Sequence, residues 1–377
     1  MPKLTFFPLG DADCCLIDLQ NGKKVLFDYA AMRDSGDKND KRIDLPKKLR
    51  DDLDAAEKDA YDVVAFTHLD KDHTQGADAF FYLDHAKKYQ DEGRIKITTL
   101  WVPAHVITEN RNDLEPSAKA IQAEARHRLK KDYGIRVFSR SESLRKWLEE
   151  QGLTLESRER FITDAGQVAP ELTIKNDGVE FFVHSPFAWR QDASTVVDRN
   201  GDSLVMQAVF EINGSQTKAI LGSDVDHTAI SDIVTVTKNH KREHRLEWDV
   251  FKLPHHCSYL SLGPERGVDK TKPDKNVKWL FETQGQRGCY VVSPSEPIPG
   301  KGTDEDKSSY PPHRQAANYY RDMVKDKDGE FKVTMEHPNA GNPQPVEIEI
   351  TSLGASLKKR LAVGGTAVAS MNAPRAG

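Results

Sequence analysis

Short apolar runs alternate along the chain with charged stretches, and most of these runs have the length of strands rather than of long helices. LTFFPLG and CCLIDL open the sequence, and VLFDYA follows the polar pair Asn21-Gly22, which favours a tight hairpin turn. A strand meander is therefore expected between Leu4 and Asp28. Residues 33–59 are dense in charge and read as a loop plus an amphipathic helix, after which YDVVAFTH and ITTLWVPAH are again strands. From Ile107 to about Leu155, PSAKAIQAEARHRLKKDYG and SESLRKWLEEQG carry helical apolar spacing behind Ser or Pro starts, which predicts an inserted helical subdomain. Strands resume with LTIKNDGVEFFVHSPF, SLVMQAVFEINGSQTKAILGSD, WDVFKLPHH and CYVVSPSEP, and FKVTMEH with PVEIEITS is expected to form a late pair. The Ala/Gly-rich tail from about Val363 to Gly377 is expected to be poorly ordered.

Charge and cysteine usage narrow the class. The 377 residues hold 54 Lys+Arg against 59 Asp+Glu, a net charge of −5, which excludes a histone-like or polybasic membrane-surface protein but allows a local basic groove. No run approaches the roughly 20 apolar residues of a membrane span, and the N-terminus reads as a first strand rather than a signal peptide. Cys14, Cys15, Cys257 and Cys289 form no CxxC pair and fit a reducing cytoplasm, so they are not the expected metal ligands.

The chemistry is concentrated in Thr67-His68-Leu69-Asp70-Lys71-Asp72-His73, directly after the apolar strand VVAF. Two imidazoles and two carboxylates in one tight loop cost several kcal/mol to bury unpaired, and a metal removes that cost. Positions 68, 70 and 72 of an extended loop share one direction while His73 turns back, so the segment can serve two cations. Two later strands also end in candidate ligands: AILGSD at Asp224 and VFKLPHH at His255 and His256. A carboxylate such as Asp224 can bridge cations about 3.5–4 Å apart. The mixed His and Asp set fits Zn²⁺ first and also harder ions such as Mn²⁺.

THLDKDH followed by Thr74-Gln75-Gly76 resembles the HxHxDH motif of the metallo-β-lactamase superfamily, in the variant whose second His is Asp. The remaining blocks resemble its free-standing relatives of the hydrolase domain in the competence DNA-uptake channel (ComEC-like). Gly10 to Ile17 is similar to GQGDxxLI, Phe27-Asp28-Tyr29-Ala30 to IDxG, and Asn200-Gly201-Asp202-Ser203-Leu204-Val205 to NDxSLV. Gly222 to Asp226 is similar to GDxE, Leu253 to Ser258 to VPHHGS, and Ser293 with Tyr310-Pro311-Pro312-His313 to the closing S…YGHP. Ser223 and Cys257 stand where those relatives carry Gly, and the insertion after Ala104 is long.

The resemblance implies an α/β fold, the metallo-β-lactamase αββα sandwich with a helical insertion and a short C-terminal extension. Its halves would span 1–106 and 161–325, with the insertion at 107–160 and the extension with its disordered tail at 326–377. His68 and Asp70 would hold one divalent ion and Asp72, His73 and His256 the other, with Asp224 between them and a further ligand from Asp202, Asn200 or His184. His255 or Asp226 would move protons, and Asp13 and Asp28 would support the metal loop by hydrogen bonds. The bland readings differ by residue: His105 and His184 as hydrogen-bonded strand-end histidines, and His127, His240 and His244 as surface. For His313 a structural proline turn competes with a place in the closing motif. The implied activity is phosphodiester hydrolysis in DNA or RNA by a two-metal-activated hydroxide, the metals lowering the pKa of water to about 7. A small phosphodiester substrate, or a partner-gated regulatory or defence module docking through the helical insertion, are the alternatives.

Overall fold

The computed structural model describes residues 1–193 and 198–358. Among them are fifteen strands: β1 (Lys3–Phe6), β2 (Cys15–Asp18), β3 (Lys24–Phe27), β4 (Ala60–Ala65), β5 (Lys96–Pro103), β6 (Ile135–Phe138), β7 (Ile162–Thr163), β8 (Val179–Ser185), β9 (Val205–Ile212), β10 (Ser215–Leu221), β11 (Trp248–Lys252), β12 (Gly285–Ser293), β13 (Glu330–Val333), β14 (Val346–Thr351) and β15 (Gly354–Leu357). They form one sheet in the order β15-β14-β1-β2-β3-β4-β5-β6-β7 and a second in the order β13-β12-β11-β10-β9-β8. The expected hairpin is present: Asp18 lies opposite Lys24, and Gly22 takes a φ of +83° in the turn.

Strand alternation sends each sheet's side chains to two faces, and each face finds a different partner. Between the sheets lie Phe6, Ile17, Phe27 and Trp101 from the first and Phe181, Met206, Phe210 and Val250 from the second. The outer face of the first sheet, with Leu16, Leu26 and Val64, packs on helices Leu45–Ala55, Pro116–Lys131 and Glu142–Glu150. Ile220, Phe251 and Val291 of the second pack on helices His227–Asn239 and Arg314–Lys325. The layers are helix, sheet, sheet, helix, the expected αββα sandwich. No helix of the described residues is long and apolar enough to cross a membrane.

What positions the site is strand direction. β3, β4 and β5 run parallel to one another, as do β10, β11 and β12, so each group delivers its C-terminal ends to one edge of its sheet.

Three segments depart from the sequence reading. Residues 107–160 hold the expected helices but also β6, which pairs with β5 from Leu100↔Ile135 to Pro103↔Phe138, so this stretch extends the first sheet. Arg136 had disguised that strand; its guanidinium is kept in a buried position by Glu171 at 2.5 Å. LTIKND is not strand, because Thr173 caps a helical turn, Ile174–Asp177, that Gly178 ends at φ +69°. FKVTMEH and PVEIEITS do not pair with each other: β13 joins the second sheet beside β12, while β14 joins the first beside β1. The Val363–Gly377 tail lies outside the described residues.

Within the helical layer, Glu124 is fully buried and accepts bonds from Arg128 Nε at 2.6 Å and from the His85 backbone at 2.9 Å. Burial alone raises a carboxyl's pKa, but His85 and Arg128 outweigh it and hold Glu124 at about 2, below the ordinary 4.5. A depressed carboxyl pKa stabilises the fold above pH 4.5, and that contribution is lost as pH falls towards 2. Glu124→Gln is therefore expected to cost on the order of 3 kcal/mol at pH 7, with a smaller penalty at pH 3, as read from urea unfolding at both values.

Candidate metal centre

The six expected ligands on the three ligand-bearing loops converge where the two groups of strand ends meet. β4 runs into Thr67 and His68, the short helix Lys71–Thr74 presents Asp72 and His73, β10 leads to Asp224, and β11 leads to His256. His68 Nε2 lies 3.8 Å from Asp70 Oδ2 and 3.9 Å from Asp224 Oδ2. His73 Nε2 lies 3.4 Å from Asp224 Oδ1 and 3.7 Å from Asp72 Oδ2. His256 Nε2 lies 2.9 Å from Asp72 Oδ2 and 3.7 Å from Asp224 Oδ2. Asp224 thus faces all three imidazoles from the middle.

These spacings fit cations. Ligand atoms about 2.1 Å from a tetrahedral ion sit about 3.4 Å from one another, close to most of the separations seen here. His68 Nε2, His73 Nε2 and Asp224 Oδ1 are buried and make no hydrogen bond in the protein. Such groups cost about 1–3 kcal/mol each unless something else satisfies them.

Each imidazole is held from behind so that Nε2 faces inward. Asp28 Oδ2 lies 2.8 Å from His73 Nδ1, and the same carboxylate accepts from the Thr67 N–H and hydroxyl at 2.7 and 2.8 Å. The Pro294 carbonyl lies 2.8 Å from His256 Nδ1. Thr67 Oγ1 and Ser223 Oγ flank His68 Nδ1 at 3.2 and 3.3 Å, so Ser223, where the similar family carries Gly, has a use here. Such outer bonds fix the tautomer and ring orientation of a ligand histidine.

His256 comes from a sharply bent turn. His255, His256 and Cys257 take φ values of 47°, 50° and 66°, a left-handed run that costs non-glycine residues about 1 kcal/mol or more each. At Cys257 this is the backbone that a glycine would adopt without strain.

Charge is the dominant feature of the pocket. Asp13, Asp28, Asp72 and Asp224 crowd His73 and His256, and Asp70 stands at the rim. Burial opposes a charged His256, but Asp224, Asp72 and Asp13 push its pKa up to about 10. Burial likewise opposes ionised Asp72 and Asp224, yet the imidazoles hold both below the carboxylate range.

Asp13 belongs inside the centre. Its carboxylate lies 3.5 Å from His73 Nε2, and its ligand atom groups with those of His73, Asp224 and His256 within 4.8 Å. Lys252, buried in β11, sits 2.8 Å from Asp13 Oδ2 and donates to the Gly222 carbonyl at 2.6 Å. Its signal in the sequence was a lone Lys inside the apolar run VFKLP. Arg199 left no such signal, although it donates to Asp70 Oδ1 at 2.9 Å while Glu109 and Asp113 hold its other end at 2.7 and 2.8 Å.

Several expected residues are not brought to the centre. Asp202 lies in a turn closed by its own N–H to the Asp198 carbonyl, and burial followed by Asp198 pushes its carboxyl up to about 7. Its carboxylate forms no ion pair or hydrogen bond with His68, His73 or His256 among the described residues, although its backbone meets His105. His184 is spent on the Arg245 carbonyl at 2.9 Å, and the Asn200 carbonyl closes the turn to Ser203. Asp226 caps helix His227–Asn239, accepting from the Thr228 and Ala229 N–H groups at 2.9 Å, rather than standing free as a proton carrier. His255 is half-buried beside His256. His105 is fully enclosed near the Asp202 backbone; burial, then the neighbouring His68, lower it to about 3. His313 accepts from the Tyr259 N–H at 3.3 Å.

No family model and no curated protein matches the chain. Among solved structures, similar chains include a diphosphatase from the PhnP family, with 12% identity over 80% of this chain and 81% of that one and a TM-score of 0.30. Another is the class B3 di-zinc metallo-β-lactamase LRA-12 from an Alaskan soil metagenome, with 10% identity over 86% and 88% and a TM-score of 0.30. A third is unliganded yeast PDE1, with 11% identity over 88% and 97% and a TM-score of 0.41. At these scores the αββα assignment rests on the layering and strand order described above.

Two substitutions test the supports of the centre. Asp28→Asn, which weakens the grip on His73, should lower affinity for Zn²⁺ or Mn²⁺ by about 10–100-fold in a competition titration. Lys252→Met, which strands the Asp13 carboxylate in the metal-free protein, should cost about 3–5 kcal/mol by denaturant unfolding in chelator, and added metal should restore part of that loss.

Proposed function

We propose that this chain is a metal-dependent hydrolase that cleaves phosphodiester bonds, with DNA or RNA as its substrate. The observation that carries the reading is the set of three inward-facing Nε2 atoms around Asp224, two of which, on His68 and His73, are buried with no hydrogen-bond partner among the described residues. His68 and Asp70 would hold one divalent cation, and His73, His256, Asp72 and Asp13 the other, with Asp224 shared. The cations, when bound, supply Lewis-acid charge for the phosphate and lower the pKa of water to about 7.

The chain's own residues then do the rest. Asp28, Ser223 and the Pro294 carbonyl keep the imidazoles aimed inward, so little reorganisation is needed when substrate arrives. Arg199 holds Asp70 by one oxygen and leaves the other facing His68. His255, half-buried beside His256, would pass a proton to the leaving oxygen.

Elemental analysis of protein purified without chelator should find close to two metals per chain, and labelled single- and double-stranded DNA and RNA should be cleaved with Zn²⁺ or Mn²⁺. Asp72→Ala should fold but lose at least about 100-fold in rate, beyond what loss of an outer hydrogen bond brings. Two metals with hydrolysis of a small diester but of no oligonucleotide would move the substrate to a small phosphodiester. No bound metal, with Asp72→Ala behaving as wild type, would sink the reading.

A further inference from the structure

The loop that leaves β3 and returns to helix Leu45–Ala55 is joined at both ends to segments of the metal centre. Its first end is tied to the metal loop, with Tyr29 N–H donating to the His73 carbonyl at 3.1 Å and Ala31 N–H to the Gln75 carbonyl at 2.9 Å. Its far end is tied to the segment that delivers Asp13, through Ile43 N–H to the Pro8 carbonyl at 3.0 Å. Arg42 closes the junction: a Cβ on Gly10 would meet Arg42 Cδ at 3.3 Å and Glu296 Oε1 at 2.5 Å. Both ends of the loop are thus anchored on the segments that carry the ligands.

The loop and the segment Gly341–Gln344 enclose an open groove lined by Arg33, Lys38, Lys41, Arg42, Lys47 and Lys48, against two lining acids, Asp40 and Asp44. The acids of the loop are occupied in folding it. Asp34 accepts from Gly36 N–H and Asp37 from Asn39 N–H, both at 2.8 Å, Asp40 clasps Arg42, and Asp44 caps the helix through Lys47 N–H. Of the cations, Arg42 is held by Asp40, Lys47 pairs with Asp51 at 2.7 Å, and Lys41 donates to the Gly341 carbonyl at 3.2 Å, which leaves three. Arg33, Lys38 and Lys48 are exposed and form no ion pair or side-chain hydrogen bond among the described residues. The lining thus carries an excess of positive charge in a chain of net charge −5, and such a local excess attracts a polyanion.

We propose that this groove binds the nucleic-acid strand flanking the scissile phosphodiester, through its non-scissile phosphates. The groove makes the site one for a polymer rather than for a small diester, and it rests on the phosphodiesterase reading above. Phosphate contacts of this kind position a strand without reading its bases, so the groove predicts binding with little sequence preference.

The test compares metal-loaded wild type with the triple variant Arg33→Ala, Lys38→Ala, Lys48→Ala, and with Lys130→Ala, Lys131→Ala on the exposed end of helix Pro116–Lys131 as the charge control. The probe is a labelled single-stranded phosphorothioate oligonucleotide, which keeps its charge and resists hydrolysis, followed by anisotropy across a salt series. The triple variant should bind about tenfold or more weakly at low salt, and its slope of log affinity against log salt should be shallower by about two, roughly 0.7 for each lost cation. The ratio of kcat/KM for an oligonucleotide to that for bis(4-nitrophenyl) phosphate should fall by a similar factor. A triple variant with wild-type affinity and slope, or wild type that hydrolyses the small diester yet binds no oligonucleotide, overturns the groove. Groove-dependent binding by a wild type that hydrolyses neither compound supports the groove and overturns the phosphodiesterase reading alone.

Discussion

Five carboxylates, Asp13, Asp28, Asp70, Asp72 and Asp224, meet at the ends of two packed sheets, three of them buried and Asp70 and Asp72 partly exposed. Lys252 and Arg199 answer two of those charges. The rest is what the remaining structure has to manage, because burying an unpaired carboxylate costs several kcal/mol. Without metal, His73 and His256 are driven towards their protonated forms by these same carboxylates. Divalent cations held by these residues would take the place of those protons, which would couple metal binding to proton release.

The architecture explains how such a cluster is tolerated. Ligands sit where strands β4, β10 and β11 stop, so no backbone hydrogen bond of either sheet is sacrificed to place them. The sheets bring a rigid apolar floor, with Phe27, Trp101 and Phe181 packed edge to face and tilted between them at centroid separations of 5.5 to 6.3 Å. Around the centre, left-handed backbone falls at the turn His255 to Cys257 and at Asp28, and the polar supports behind each imidazole lie on loops that follow strands. Flexibility is thereby kept away from the atoms that face the cations.

Much of this was legible in the chain because it is local. The hairpin at Asn21-Gly22, the ligand loop after VVAF, and the strand ends at Asp224 and His256 each announce themselves within a few residues. Nonlocal features were hidden. β6 was obscured by Arg136, whose charge is cancelled by Glu171, 35 residues along the chain. The separate destinations of β13 and β14 depend on which sheet has a free edge, a property no window of sequence carries. Asp13 read as an outer support because its partners, His73 on a short helix and Lys252 on β11, come from distant parts of the chain, and Asp202 read as a ligand because a turn in RNGDS resembles a motif whose side-chain direction the turn itself decides.

The most direct test of the two-cation account is anomalous diffraction from crystals soaked in Zn²⁺ or Mn²⁺. Two peaks about 3.5–4 Å apart, one beside His68 and Asp70 and the other among His73, His256 and Asp72, with Asp224 touching both, are the predicted result. No peak among these residues, or a lone ion held elsewhere with the imidazoles unmoved, would contradict it.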